Sequence, residues 1–162
     1  MTTEDPNIEK IAGLVDDFPI AMLATVADGD RILAQPYAMQ QQHHRFDGEL
    51  WFLISADSST AQRITANPAL LVSLSANDSW VSLSGLGELS NEQHYIDAMW
   101  DSSVEAWFPG GQQDPNIRAL IFHADTAEYW DTPGSKVATA VSYLKSKVTG
   151  TPISIDSDKV DL

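Results

Sequence analysis

A hydroxyl-rich turn is the stretch of this sequence whose residue types best suit the binding of an anion. Asp57, Ser58, Ser59 and Thr60 stand directly before a predicted helix, where free backbone N–H groups and a partial positive charge favour a phosphate. The next Lys or Arg along the chain is Arg63. Residues 54–68 are therefore open to three interpretations, as an anion site, as a former anion site, or as a well-capped helix.

Other patterns of reactive side chains give no site. His43 and His44 are adjacent, and neighbouring strand residues point to opposite faces, so we expect no metal ion between them. His94 and His123 are isolated in the sequence and are expected to be structural. We find no nucleophile-elbow, Walker or dinucleotide glycine pattern, and we name no catalytic residue.

Charge and composition limit the classes of partner. The 162 residues include 23 acidic and nine basic side chains, for a net charge of −14, which repels nucleic acid and anionic membranes. No apolar run approaches the roughly 20 residues of a membrane span, and the first ten residues lack the features of a signal peptide. Together with the absence of Cys, these features predict a cytoplasmic protein.

The hydrophobic periodicity predicts a mainly β protein with peripheral helices, built as an antiparallel barrel of about six strands. We assign the barrel domain to residues 1–133, and to residues 134–162 a C-terminal helix (134–148) and a polar tail that pack on the same domain. The predicted strands are 20–27, 31–42, 49–55, 69–76, 80–90 and 116–131, and the predicted helices are 5–16 (capped by Asp5), a short one within 54–68, and 91–107 (capped by Asn91).

The five tryptophans divide into three groups. Trp51, Trp80 and Trp130 lie in predicted strands, where an aromatic side chain is most often part of the core. Trp100 lies on a predicted helix and is expected to pack. Trp107, just before the sequence FPGG, is the best candidate to cover a planar ligand.

Several short segments together resemble one known family. In order along the chain they are LAQPYAM, FDGELWFLISADSS, NPALLVSLS, WVSLSGLGEL, EAWFPGGQQDP and AEYWD. They are similar to the general stress protein 26 branch of the pyridoxamine 5′-phosphate oxidase-like, FMN-binding split barrels. The resemblance covers about residues 8 to 131 and implies a six-stranded split barrel.

The resemblance also implies an assembly and a cofactor. Members of this family form homodimers with two FMN sites at the interface, each using residues of both chains, so Trp107 is expected to reach the partner's pocket. The flavin phosphate typically meets an Arg of an RP strand element and a Ser/Thr with an Arg-Lys pair after the WF strand. The implied cofactor-binding positions are Gln35, Pro36, Tyr37, Leu53, Ile54, Ser55, Ser58, Ser59, Thr60 and Trp107.

The sequence departs from the family at the phosphate positions. Gln35 replaces the Arg of the RP element, Ser59 and Thr60 replace the Arg-Lys pair, and Ile54 replaces a threonine, whereas Ser58 is retained. Two functions remain open. The first is an FMN-binding, flavin-dependent oxidoreductase of the general stress type; the alternative is a non-enzymatic, stress-associated ligand-binding dimer that has lost the phosphate clamp. The tail lacks Arg, which argues against a true pyridoxamine 5′-phosphate oxidase.

Overall fold

The computed structural model describes residues 6–40, 46–132 and 156–162. Within these residues the chain forms seven strands and four helices, and a short 3₁₀ turn at residues 28–30 joins the first two strands. The elements in order are α1 (Pro6–Asp16), β1 (Ile20–Ala27), β2 (Arg31–Ala38), β3 (Glu49–Ser55), α2 (Ser59–Ala66), β4 (Ala69–Ser75), β5 (Ser79–Ser90), α3 (Gln93–Met99), α4 (Ser102–Glu105), β6 (Ile117–Asp131) and β7 (Asp156–Asp161).

The strands form one antiparallel sheet in the order β2-β1-β4-β5-β6-β3. Strand β6 is long enough to have two neighbours on one side, because β3 pairs with residues 117–123 and β7 pairs with residues 126–131. The register of β5 on β6 shifts between Ser84 and Gly85, where a Cβ atom on Gly85 would stand 1.9 Å from the carbonyl oxygen of His123. The close backbone approach therefore requires glycine.

The two end strands of the sheet, β2 and β3, approach each other without pairing along their length. Just after β2, the backbone N–H of Gln40 donates to the carbonyl of Trp51 in β3 at 3.3 Å. Further along, Thr60 of α2 donates to the side chain of Gln35 in β2. The first bond joins the region after β2 to β3 and the second joins β2 to α2, and the gap between the two end strands is the split of the barrel.

Two apolar clusters fix the position of β3. Leu50, Phe52 and Ile54 point into the barrel core, which α1 also covers with Ile11 and Val15. The opposite face of β3 packs under α3 and α4, in a second cluster formed by Leu53, Ile96, Met99, Val104, Ile117, Ala119 and Ile121. Packing on both faces therefore sets the position of β3, from which the hydroxyl-rich turn follows.

Most predicted elements are confirmed. Strands 20–27 and 49–55 match the prediction residue for residue, and the mainly β, split-barrel fold class is correct. The predicted strand 31–42 was too long, since β2 ends at Ala38. Asp5, the cap predicted for the first helix, and the helix predicted at 134–148 lie outside the described residues.

Three other predictions were wrong. Residues 91–107 form two short helices rather than one, and Glu92, not Asn91, stands at the start of α3. Residues 156–161, predicted as a polar tail, form strand β7. Trp80 is not in the core, because 37% of its surface is exposed.

No helix within residues 6–40, 46–132 and 156–162 is both long and apolar enough to cross a membrane.

Candidate functional site

A cavity of about 390 Å³ lies in the gap between β2 and β3. Its size is within the range of about 300–1,000 Å³ that is common for small-molecule sites. One wall is β3, with Leu53, Ile54 and Ser55, and the opposite wall is the end of β2, with Pro36 and Ala38. The remaining lining residues are Ile20 at the start of β1, Tyr37 within β2, Gln40 after β2, Ser58 at the start of α2, and Val104, Trp107 and Phe108 in and after α4.

The cavity contains most of the predicted site. Of the ten predicted cofactor-binding residues, seven line it, namely Pro36, Tyr37, Leu53, Ile54, Ser55, Ser58 and Trp107. The other three do not line it: Gln35 and Ser59 are next in sequence to lining residues, and Thr60 is two residues after Ser58. The residues implied for one pocket are therefore brought to one place by the fold.

Sequence reasoning missed Gln40, and this residue is a notable part of the lining. Only 7% of its surface is exposed, and the residue lines the cavity. A side-chain amide has two N–H donors and an acceptor oxygen, so Gln40 can hydrogen-bond to a polar group of a ligand in the cavity. The available signal was a polar residue directly after a strand, which is too common to single out.

The hydroxyl-rich turn begins helix α2. Ser58 is the N-cap residue, and its Oγ accepts a hydrogen bond from the backbone N–H of Ala61 at 3.1 Å. Such a cap satisfies one of the donors left free at a helix start. The interpretation as a well-capped helix is therefore correct for Ser58, although the residue also lines the cavity.

Two of the family's phosphate positions contact each other directly. The hydroxyl of Thr60 donates to Oε1 of Gln35 at 2.6 Å, and Thr60 is 1% exposed whereas Gln35 is exposed. The residues that replace the expected cations thus form a neutral pair at the edge of the split.

Arg63 is held behind this pair. Its Nε donates to Oγ1 of Thr25 at 2.7 Å, and its terminal nitrogen donates to Oγ1 of Thr60 at 3.2 Å. Thr25, like Thr60, is 1% exposed. Arg63 does not line the cavity, and it forms no ion pair with a carboxylate among the described residues.

Trp107 and Phe108 close the cavity on the side of α4. Trp107 is 79% exposed, although it lines the cavity of its own chain. Phe108 packs against Trp100, with the ring centroids 6.3 Å apart, so the expectation that Trp100 packs is confirmed. An exposed indole at the rim of an apolar cavity is well placed to stack on a planar ligand.

The chemistry that this cavity can perform unaided is limited. Tyr37 is the one described lining residue with an ionisable side chain. Among the described residues no cluster of His, Asp or Glu could hold a metal ion. The site is therefore suited to binding and orienting a ligand that brings its own reactivity.

The fold defines a class of protein, the antiparallel split barrels, and in this chain a cavity lies in the gap of the sheet. The family model described as pyridoxamine 5′-phosphate oxidase like matches residues 6–154. The chain belongs to the pyridoxamine 5′-phosphate oxidase-like family, and the resemblance inferred from the sequence is confirmed.

Individual relatives agree with this assignment. General stress protein 26 of Bacillus subtilis is 25% identical over 117 residues, which cover 69% of this chain and 79% of the relative. The crystal structure of a protein assigned to general stress protein 26, from Jannaschia sp. CCS1, has a TM-score of 0.76 at 22% identity and covers 95% of this chain and 97% of its own. A general stress FMN/FAD binding protein from Xanthomonas citri has a TM-score of 0.67 at 27% identity, over 79% of this chain and 90% of its own.

A flavin mononucleotide fits this site at one end and not at the other. The apolar walls of Leu53, Ile54 and Pro36 suit a flat aromatic ring, and the buried amide of Gln40 suits its polar edge. At the expected phosphate end, the side chains of Gln35 and Thr60 bond to each other and neither is charged. Neither residue of this pair supplies the cation that a doubly charged phosphate needs for compensation.

Proposed function

We propose that this chain forms a homodimer whose two cavities each bind the ring of a flavin against the partner chain. The observation that carries the proposal is that the cavity borders an exposed face of the sheet, and that this face contains no charged residue. Support for a flavin comes from the Xanthomonas citri relative, whose name gives FMN or FAD as its ligand.

The exposed face, which we call the uncharged face, lies on β2, β1 and β4. Residues directly opposite each other in antiparallel strands point to the same side, and the register thus defines the outward set. The set includes Ile20, Met22, Ile32 and Leu71, which are 50%, 40%, 72% and 39% exposed. Its other members are Ala24, Val26, Ala34, Pro36, Ala38, Ala69 and Ser73.

The absence of charge from this face is unusual for a protein with a net charge of −14. If acidic residues were placed for solubility alone, an exposed sheet face would be expected to carry them. Contiguous exposed apolar surface usually marks an interaction site. A second copy of the chain is the simplest partner, since two identical uncharged faces match each other across a twofold axis, and obligate homodimers commonly bury about 2,000 Å² or more.

The uncharged face and the cavity share residues. Ile20, Pro36 and Ala38 belong to both, and a partner seated on the face would therefore cover the open side of the cavity. The exposed Trp107 stands at the same rim. The dimer would thus exclude water from a ligand that a single chain leaves partly open.

A bound flavin supplies hydride or electron transfer, and the protein supplies binding and orientation. The role of this chain's residues is to hold the ring between Leu53, Ile54 and Pro36 and to keep solvent out. On this basis the dimer is a flavin-dependent oxidoreductase of the general stress type, working in the cytoplasm. The scarcity of acid–base groups in the described lining favours a second candidate, a dimer that binds a ligand without catalysis.

Purification of the full chain without added flavin tests the proposal. Yellow protein that releases a flavin identified by mass spectrometry, and that sediments as a dimer at micromolar concentration, is the expected result. Flavin reduction by a reduced nicotinamide, followed by reoxidation with an electron acceptor, would favour the oxidoreductase over the binding protein. Colourless protein that does not bind added FMN or riboflavin would refute flavin binding.

A further inference from the structure

We propose that the flavin bound in this cavity carries no phosphate, with riboflavin as the simplest such ligand, and that neutral side chains recognise it. The inference rests on the proposed function, because it specifies which flavin the same cavity takes. Two observations support it: the uncharged lining of the cavity, which includes the neutral amide of Gln40, and the direction of the hydrogen bonds beside it.

The cavity presents no formal charge along the lining that the structure describes. Its polar members are Ser55, Ser58, Tyr37 and Gln40, and the rest are apolar. A phosphate dianion loses its hydration when it enters such a site and needs a cation or several donors in return. Hydroxyl and carbonyl groups of an uncharged ligand need only ordinary hydrogen bonds, which these four side chains can provide.

The hydrogen bonds at the edge of the split have a defined direction. A guanidinium can only donate, so Oγ1 of Thr60 accepts from Arg63, and the Thr60 hydroxyl must send its own proton elsewhere. That proton goes to Oε1 of Gln35. The oxygen of the Gln35 amide is thereby turned toward Thr60, and its NH₂ group is left as a neutral donor on the exposed side.

The same arrangement keeps Arg63 away from the cavity. Arg63 also donates to the buried Oγ1 of Thr25, which lies 3.4 Å from the carbonyl oxygen of Leu33. Turning Arg63 toward a ligand would remove a partner from two hydroxyls that are almost fully buried, and unpaired buried polar groups are destabilising. The cation is therefore used to order Thr25, Thr60 and Gln35, not to neutralise a phosphate.

The experiment compares riboflavin with FMN, which differ by the phosphate alone. Each is titrated into the full-length protein after removal of any bound flavin, and the dissociation constant is measured from quenching of flavin fluorescence. We expect the two constants to agree within about threefold, a difference of well under 1.4 kcal/mol. An FMN affinity tenfold or more above that of riboflavin would overturn the inference.

Variants identify the cause of either result. Arg63→Gln and Arg63→Lys should leave the ratio of the two affinities unchanged, as should the control Arg31→Gln, which removes the same charge at the far end of β2. A preference for FMN that Arg63→Gln abolishes would make Arg63 a phosphate ligand and refute the inference. Binding of neither flavin by the wild-type protein would instead refute the proposed function, and this inference with it.

Discussion

If the neutral pair of Gln35 and Thr60 is what removes the preference for a phosphate, restoring cations beside it should create that preference. The structure indicates where they can be placed. Gln35 and Ser59 are both exposed, so Arg at either position can keep its charge in contact with water. Thr60 is a poor choice, although the family has Lys there, because at 1% exposure it would bury an ammonium group. The informative variant is thus Gln35→Arg with Ser59→Arg.

The size of the effect can be estimated for each new contact. A hydrogen bond to a charged group contributes about 1.5–3 kcal/mol, and ordering an Arg side chain costs up to about 2 kcal/mol. A net gain of about 1–1.5 kcal/mol per contact corresponds to roughly five- to tenfold in affinity. We expect the double variant to bind FMN at least about tenfold more tightly than riboflavin, with riboflavin affinity nearly unchanged.

A control variant and the salt dependence distinguish an effect of the new charges from an effect of side-chain shape. The control variant Gln35→Met with Ser59→Gln has side chains of comparable length without charge, and it should bind both flavins equally. The gain for FMN should shrink as salt is added, since the new cations are exposed and salt screens them.

An unchanged ratio in the Arg variant, with riboflavin still bound, would refute this reasoning. It would show that the end of the ligand does not lie beside Gln35 and Ser59. A similar gain in the uncharged control would mean that packing, not charge, sets the preference.

Three further predictions test the fold and the dimer. Leu71→Glu places a charge at the centre of the uncharged face and should give monomers in sedimentation, while an unchanged dimer would locate the interface elsewhere. Gly85→Ala should destabilise the protein by about 1–3 kcal/mol, because the new Cβ atom would clash with the carbonyl oxygen of His123. Its control, Gly13→Ala, has no atom within 4 Å of the new Cβ and should stabilise the protein by about 0.4–1 kcal/mol. Thermal melts that show equal effects of the two substitutions would contradict this prediction. Val160→Ala should cost about 2 kcal/mol in urea unfolding, from two buried methyl groups and a small cavity, and no change would mean that β7 does not contribute to stability.

The strands were predictable because their determinants are local. In β4, Leu70, Val72 and Leu74 are buried and alternate with more exposed residues, and a period of two is visible without knowledge of the fold. The same holds for the turn at residues 28–30, where Gly29 has φ of 70°. Such signals fix the type of an element and, in β1 and β3, also its ends.

The errors arose where distant contacts or competing side chains decide the structure. Asp101 interrupts the predicted helix 91–107, since its carboxylate accepts from the backbone N–H of Ser103 and Val104 and starts a new helix. Strand β7 exists through its pairing with β6, and its Asp-rich sequence gives no periodic signal. Trp80 shows a third limit of the sequence: the alternation of apolar and polar residues does not tell which face of a strand another element covers.

The candidate site was partly predictable for a related reason. Seven of the ten positions that the resemblance implied line one cavity, because the fold that the resemblance predicts brings them to the same gap; their role in binding stays a prediction. The resemblance did not reveal Gln40, which is buried where the segment after β2 bonds to Trp51 of β3. It also did not reveal that Arg63 lies behind Thr60 and donates to its hydroxyl. Both depend on side chains from separate elements, which a single sequence does not bring together.

The walls of the cavity and its phosphate end are under different physical constraints. Leu53 packs in the cluster below α3 and α4, and Ile54 packs in the barrel core, so changing either one disturbs a core as well as the cavity. Gln35 and Ser59 are exposed and contribute little to either core. On the proposed function, the fold would preserve a slot for a flat ring while leaving the charge at its end free to change, so that one scaffold could retain ring binding and lose the preference for a phosphate.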